Sequence, residues 1–125
     1  MISIIEDDPV VREATDGLVR SLGYRSATFA SAEDFLHSDR IEETACLITD
    51  LQMPGLSGIE LQSALIARGN RIPVIFITAF AEDRARRRAL EAGAIGFLAK
   101  PFAEACLIKH IETALQNCEG RHVGH

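Results

Sequence analysis

Five polar residues in this 125-residue sequence have the types and the spacing to form a site for a divalent cation. Each of them stands at the end of a short apolar run or just after it: Glu6, Asp7, Asp50, Thr78 and Lys100. Carboxylate oxygens are the ligands that Mg²⁺ prefers, and a lysine ammonium adds a positive charge of its own. Such a site requires that side chains from four distant segments meet at one place.

Asp50 stands at the end of a nearly all-apolar run, Ala45 to Thr49, which is typical of a strand buried on both faces. Turn residues follow it at Met53-Pro54-Gly55, and Ser57 is a candidate helix cap. A carboxylate at the end of a buried strand is costly to desolvate unless it has a partner. Asp50 is therefore expected to do chemistry or to bind a ligand.

Three carboxylates about 5 Å apart repel one another by about 3 kcal/mol per pair at an effective dielectric constant near 20. Positive charge must offset that repulsion if Glu6, Asp7 and Asp50 converge. Lys100 supplies one charge, and an oxygen-binding divalent ion, Mg²⁺ in our interpretation, supplies two more.

The elements that would position these residues form an alternating series of five strands and five helices. The predicted strands are residues 2–5, 25–29, 45–50, 74–78 and 95–99, and the predicted helices are residues 9–22, 31–38, 57–67, 82–92 and 103–116. Such a βα series implies a doubly wound parallel sheet with helices on both faces. In the strand order 2-1-3-4-5, the first and third strands are neighbours, so their terminal acids converge.

Composition indicates one compact domain, residues 1–118, followed by a polar tail, residues 119–125. No signal peptide and no membrane span is recognised, so we expect no contact with a membrane. The net charge of −5 argues against direct nucleic-acid binding by this domain. Three cysteines without metal spacing are interpreted as reduced thiols, which predicts a cytoplasmic protein.

The motifs together resemble the receiver domain of two-component response regulators, the CheY-like family with its flavodoxin-like (βα)5 fold. The resemblance covers Ile4 to Leu115 and rests on motifs in a fixed order: the acid pair Glu6-Asp7, Asp50 followed by Met53-Pro54-Gly55, Thr78-Ala79, and Lys100-Pro101-Phe102. The sequence around Asp50 and Lys100 most resembles that of the FixJ-type subgroup of transcriptional regulators.

The resemblance implies a role for each matched residue. Asp50 would be the nucleophile that is phosphorylated by a phosphohistidine of a sensor histidine kinase or a phosphotransfer protein. Mg²⁺ would be held by the side chains of Glu6, Asp7 and Asp50 and by the backbone carbonyl of Gln52. Lys100 and Thr78 would act with Asp50 in the phosphoryl transfer.

The resemblance also implies a switch in which Thr78 moves toward the phosphoryl group and Phe97 moves inward. That change would alter the surface of the fourth helix, fifth strand and fifth helix, and so control a partner, homodimerisation or an output domain such as a transcriptional regulator. The domain would be a phosphoacceptor with self-catalysed phosphorylation and dephosphorylation, not an enzyme. Two positions depart from the family pattern, because Glu6 replaces the commoner aspartate and Phe97 replaces a frequent tyrosine.

The alternative interpretation is a small Mg²⁺-dependent phosphohydrolase of the haloacid-dehalogenase kind, which also uses an aspartate nucleophile. That class needs a second acid two residues after the nucleophile, where this chain has Gln52. It also usually needs a cap domain, for which the chain leaves no length.

Some residues carry no assigned role in either interpretation. The arginines between Arg84 and Arg88 are either a solvated face or an electrostatic contact for a partner. Cys46 and Cys106 are predicted to be small core residues, and all four histidines are predicted to lie on the surface.

Overall fold

The computed structural model describes residues 1–52, 55–79, 83–100 and 102–123, with side chains described as far as residue 116. The strands are β1 (Ile2–Ile5), β2 (Ser26–Phe29), β3 (Cys46–Asp50), β4 (Val74–Thr78) and β5 (Gly96–Ala99). The helices are α1 (Pro9–Ser21), α2 (Ala32–Leu36), α3 (Gly58–Ala67), α4 (Asp83–Glu91) and α5 (Glu104–Val123). Met53, Pro54 and Pro101 of the sequence motifs lie outside the described residues, as do the side chains of Cys118, His122 and His125.

The five strands form one parallel sheet in the order β2-β1-β3-β4-β5, as predicted. β3 and β4, at the centre, are buried at every position, which explains their continuous apolar sequence. In register, Ile5 pairs with Thr49 and Asp50 pairs with Ile77, while Thr78 pairs with Ala99. The carboxyl ends of β1, β3, β4 and β5 therefore lie along one edge of the sheet.

Helices cover both faces of the sheet and divide the core into two clusters. Val19 of α1 and Leu107, Ile111 and Ala114 of α5 pack on one face. On the other face, α2, α3 and α4 contribute buried side chains that include Phe35, Leu61, Leu65 and Ala89. Among the described residues, no helix combines the length and the hydrophobicity that crossing a membrane requires.

Helix caps fix the two turns that lead away from the acidic strand ends. The Asp8 side chain caps α1 by accepting a hydrogen bond from the Val10 amide. Ser57 and Glu60 form a reciprocal capping box at the start of α3. The sequence predicted the cap at Ser57 but not the part of Glu60. Each cap satisfies backbone amides that a helix otherwise leaves without partners.

Gly58 brings the first turn of α3 against the strand end that carries Asp50. A Cβ atom at position 58 would lie 2.7 Å from the Asp50 carbonyl oxygen and 2.9 Å from Cε1 of Phe76. At Gly17, in the middle of α1, a Cβ atom would meet no atom within 4 Å. The two glycines therefore form a matched pair, one without room for a methyl group and one with room.

We expect Gly58→Ala to lower the free energy of unfolding by about 1–3 kcal/mol, because the methyl group overpacks the contact with β3. The matched variant Gly17→Ala is expected to raise it by about 0.5–1 kcal/mol, since alanine is the better helix former. Urea unfolding followed by circular dichroism measures both changes. Equal stability of the two variants would contradict the close approach at Gly58.

Three predictions from the sequence were wrong. α5 continues to Val123, beyond the predicted end at residue 116 and into the predicted tail, because no proline follows Pro101 and polar residues do not stop a helix. Cys106 is exposed, although Cys46 is buried as predicted. His110 is half-buried: its ring lies 2.7 Å from where a Cβ atom on Gly96 would be.

Candidate functional site

Three acids and one lysine converge at the carboxyl edge of the sheet. Glu6 and Asp7 leave β1, Asp50 ends β3, and Lys100 directly follows β5. One carboxylate oxygen from each acid lies within 4.8 Å of the others. Lys100 Nζ is 2.6 Å from Glu6 Oε1 and 2.9 Å from Asp50 Oδ2. The structure thus brings together four of the five residues with which the sequence interpretation began.

The acidic cluster of Glu6, Asp7 and Asp50 fits a small divalent cation. Oxygen ligands at the Mg²⁺ distance of about 2.0–2.1 Å in an octahedron lie about 3–4 Å from one another, so a modest contraction brings the three oxygens into range. The donors are all carboxylate oxygens, which a hard cation prefers. Glu6 is fully buried and Asp50 nearly so, whereas Asp7 is exposed, so the cluster opens to solvent at Asp7.

Lys100 donates hydrogen bonds to two acidic side chains at once. Burial alone would lower the pKa of Lys100, but its hydrogen bonds to Glu6 and Asp50 outweigh that effect and raise the pKa above its ordinary value. The ammonium therefore stays charged at neutral pH. The sequence interpretation did not specify a contact between Lys100 and Glu6, which is the shorter of the two ion pairs.

Glu6 carries the strongest electrostatic perturbation in the site. Burial raises the pKa of Glu6 to about 7, against the opposing hydrogen bonds from Lys100 and from the Asp8 amide. The neighbouring charge of Asp50 adds to the increase. Without a metal ion, Glu6 is thus partly protonated at neutral pH.

We expect the metal-free domain to lose stability as the pH rises from 4.5, the ordinary pKa of Glu6, through about 7, its pKa in the folded protein. In that window the folded state binds a proton that the unfolded state has released, so a higher pH favours unfolding. The loss amounts to up to about 3 kcal/mol. Urea unfolding in EDTA at several pH values should show this decrease in the wild type and little of it in Glu6→Gln, and parallel pH profiles would contradict the prediction.

Both carboxylate oxygens of Asp50 accept a hydrogen bond. Oδ2 accepts from Lys100, and Oδ1 accepts from the backbone amide of Gln52 at 3.0 Å. The carboxylate is thus held in one orientation at the edge of the sheet, next to the other two acids. Gln52 itself is exposed, and its backbone amide fixes the first turn after β3.

Thr78 is fully buried at the end of β4, one residue beyond Ile77, which pairs with Asp50. Phe97 on β5 pairs with Phe76 on β4, and the two ring centroids lie 6.4 Å apart. Because side chains two residues apart share a face of a strand, Thr78 and Phe76 point to the same face of the sheet, and Phe97 lies on that face too.

Two contacts around the site were missed from the sequence. Nη1 of Arg12, on α1, donates to the Glu6 carbonyl oxygen at 2.8 Å and so fixes the end of β1. Glu33, on α2, accepts a hydrogen bond from the Leu56 amide in the loop after β3, at 3.3 Å. A helix that starts at Pro9 brings Arg12 back toward the end of β1, so this contact could have been inferred from the sequence. No local sequence pattern connects Glu33 with Leu56.

Most of the chain is similar to known response regulators. A family model described as the response regulator receiver domain matches residues 2–112. The response regulator protein TmoT of Ectopseudomonas mendocina is 42% identical over 116 residues, which cover 93% of this chain and 53% of that protein. The transcriptional regulatory protein FixJ of Azorhizobium caulinodans is 36% identical over 114 residues, which cover 91% of this chain and 54% of that protein. The chain thus spans about half the length of the curated relatives it matches.

Solved structures show the same fold. The response regulator StyR has 46% sequence identity and a TM-score of 0.88, covering 97% of this chain and 62% of that one. The structure of FixJ-N has 32% identity and a TM-score of 0.82, covering 92% of each chain. CheY4, a chemotaxis protein of Vibrio cholerae, has 22% identity and a TM-score of 0.82, covers 91% of this chain and 97% of that one, and is similar in fold alone. The predicted fold class is confirmed.

Proposed function

The chain belongs to the response regulator receiver domain family of two-component signal transduction, and on that premise we propose that Asp50 is its phosphoacceptor. The donor in this proposal is a phosphohistidine of a sensor histidine kinase or of a phosphotransfer protein. The observation that carries it is the arrangement of Lys100 between Glu6 and Asp50, beside Asp7, at the carboxyl edge of a parallel sheet.

The metal ligands in this proposal are the acidic cluster and the backbone carbonyl of Gln52, and the ion is Mg²⁺. When bound, Mg²⁺ offsets the negative charge of the acids and of the incoming phosphoryl group. Both oxygens of Glu6 already accept hydrogen bonds, from Lys100 and from the Asp8 amide, whereas Asp7 is exposed. This difference favours Asp7 over Glu6 as the side chain that contacts the ion directly.

Phosphoryl transfer forms one bond and breaks one. A carboxylate oxygen of Asp50 attacks phosphorus, the phosphorus–nitrogen bond of the phosphohistidine breaks, and the imidazole leaves with its electron pair. Lys100 Nζ, already at hydrogen-bond distance from Asp50, then donates to a phosphoryl oxygen. The side chains of this chain mainly position the groups and neutralise charge, which is what phosphoryl transfer requires.

The switch proposed for the phosphorylated state uses Thr78 and Phe97. An acyl phosphate carries nearly two negative charges and strong acceptor oxygens, so it attracts the Thr78 hydroxyl. Thr78 and Phe97 share a face of the sheet, and space that Thr78 leaves can be taken by the Phe97 ring. The surface formed by α4, β5 and α5 then changes by a shift in population between two states.

The output of the switch is proposed from the relatives. Several of them are named as transcriptional regulatory proteins and are about twice as long as this chain, so we propose that the domain controls an output region or a homodimer through α4, β5 and α5. We also propose that the domain, as a switch phosphorylated by a kinase, operates in the cytoplasm. The receiver family is generally not classed as enzymes, and we propose that the phosphorylation and dephosphorylation of Asp50 are self-catalysed.

The alternative phosphohydrolase function is not favoured. The family match extends from residue 2 to residue 112 and leaves no large segment unexplained. Gln52, the residue that would have to be the second acid, is exposed and engages Asp50 through its backbone amide.

Acetyl phosphate tests the proposal without a kinase. We expect incubation with acetyl phosphate and Mg²⁺ to add the mass of one phosphoryl group to the intact chain, since acyl phosphates form readily from small phosphodonors. Omission of Mg²⁺ or addition of EDTA should abolish the mass increase, and hydroxylamine should remove it. Labelling that is independent of the metal, or that resists hydroxylamine, would contradict an acyl phosphate at this site.

A further inference from the structure

Helix α4 presents an exposed positive surface. Its four arginines are all exposed: Arg84, Arg86, Arg87 and Arg88. In the part of the chain that the structure describes, none of them forms an ion pair within 4.0 Å. Arg84 and Arg88, four apart on the helix, repel each other, and the two acids of α4, Asp83 and Glu91, offset only part of the four positive charges.

The same surface has an apolar residue among its charges. Leu90 is 41% exposed and lines a shallow depression on α4 together with Arg86, Arg87 and the two acids Asp83 and Glu91. An exposed apolar side chain bordered by arginines resembles the composition of protein contact sites, where arginine is enriched. The depression therefore favours a protein partner with an acidic surface.

This chain itself carries an acidic surface of the required kind. Between residues 33 and 43 there are five exposed acids: Glu33, Asp34, Asp39, Glu42 and Glu43. Only one cation, Arg40, lies within this acidic segment, where it contacts Asp39 at 3.9 Å and Glu43 at 3.1 Å. Among the described residues, no other cation forms an ion pair with these acids, so most of the negative charge of the segment is unpaired there.

α4 and the start of the acidic segment lie at opposite edges of one face of the sheet. α2, at the start of the acidic segment, contacts the edge strand β2, and α4 contacts the other edge strand, β5. Among the described residues, no ion pair joins the two surfaces within one molecule, so a contact between them would form between two molecules. A symmetric contact of α4 with α4, by contrast, would bring eight arginines together.

We propose that α4 of one copy docks on the acidic segment, residues 33–43, of a second copy. The contact is heterologous, so each added copy leaves one basic and one acidic surface free, and association continues with concentration. It goes beyond the proposed phosphoacceptor function and does not depend on it, because both surfaces are present in the unphosphorylated chain. It competes with any dimer that uses α4.

Sedimentation velocity of the unphosphorylated chain tests this contact. At low ionic strength we expect the weight-average sedimentation coefficient to rise with protein concentration. In 1 M salt, where the Debye length is about 3 Å, the rise should disappear. A wild-type chain that stays monomeric at low ionic strength overturns the proposal. The partner of α4 would then be a different acidic protein.

Charge-reversal variants identify the partner surface. Arg87→Glu/Arg88→Glu should lose self-association, and so should Asp39→Lys/Glu42→Lys/Glu43→Lys. A mixture of the two variants should associate again, because each then offers the charge that the other lacks. Arg25→Glu/Arg68→Glu is the matched control, since it changes the net charge as much as the α4 variant does but at exposed positions elsewhere; it should associate like the wild type.

Two results of this series would overturn the contact. Association that is lost in the α4 variant but kept in the acidic-segment variant would place the partner of α4 elsewhere, for example on α5 of a symmetric dimer. Loss in the control variant to the same extent would show that net charge alone governs association. Circular dichroism of each variant verifies that the fold is retained.

Discussion

Asp50→Asn is expected to abolish phosphorylation by acetyl phosphate. The amide that replaces the carboxylate carries no negative oxygen that can attack phosphorus. It can also accept only one of the two hydrogen bonds that Asp50 accepts, and it removes a charged ligand from the acidic cluster. The measurement is the fraction of intact chain that gains one phosphoryl mass in the presence of Mg²⁺. We expect no labelled species in the variant under conditions that label most of the wild type.

Asp8→Asn is the matched control for this result. Asp8 is the N-cap of α1 and lies outside the acidic cluster, and asparagine caps a helix about as well as aspartate. We therefore expect near-normal labelling of Asp8→Asn. Labelling that persists in Asp50→Asn would show that a different residue is the phosphoacceptor, and peptide mapping would identify it.

Lys100→Gln is expected to have the second-largest effect, a decrease of about 100-fold to 1,000-fold in the rate of labelling. The ammonium is placed to stabilise the charge that accumulates on the phosphoryl oxygens, and removal of one such group has an effect of this size in other enzymatic sites. Glutamine keeps much of the length of the side chain but not its charge. The rate of mass increase under saturating acetyl phosphate measures the change.

Lys109→Gln is the matched control, because Lys109 is the one other lysine of the chain and is exposed on α5. It should be labelled at the wild-type rate. A rate for Lys100→Gln within a few-fold of the wild type would show that the bridge between Glu6 and Asp50 is structural and has no part in the transfer.

The fold could be predicted from the sequence because its central strands are buried on both faces. β3 and β4 have nearly continuous apolar sequences, and each ends at a polar residue, Asp50 or Thr78, so their ends were located within a residue. Once the strand order was inferred, the convergence of Glu6, Asp7, Asp50 and Lys100 followed from topology alone. Side-chain geometry was not needed.

Contacts between distant side chains were not predictable in the same way. Lys100 Nζ reaches Glu6 as well as Asp50, and a sequence motif does not give that geometry. The hydrogen bond from the Leu56 amide to Glu33 joins residues 23 positions apart and has no periodic signal. His110 was placed on the surface because a histidine alone does not reveal that a glycine lies opposite it.

The contact between Gly96 and His110 has a mechanical consequence. Because a methyl group does not fit between them, a shift of β5 toward α5 would have to displace the His110 ring. Phe97 is the next residue of β5 after Gly96, the residue that lies against His110 of α5. In the proposed switch, a movement of β5 would therefore reach α5 directly through the contact of Gly96 with His110.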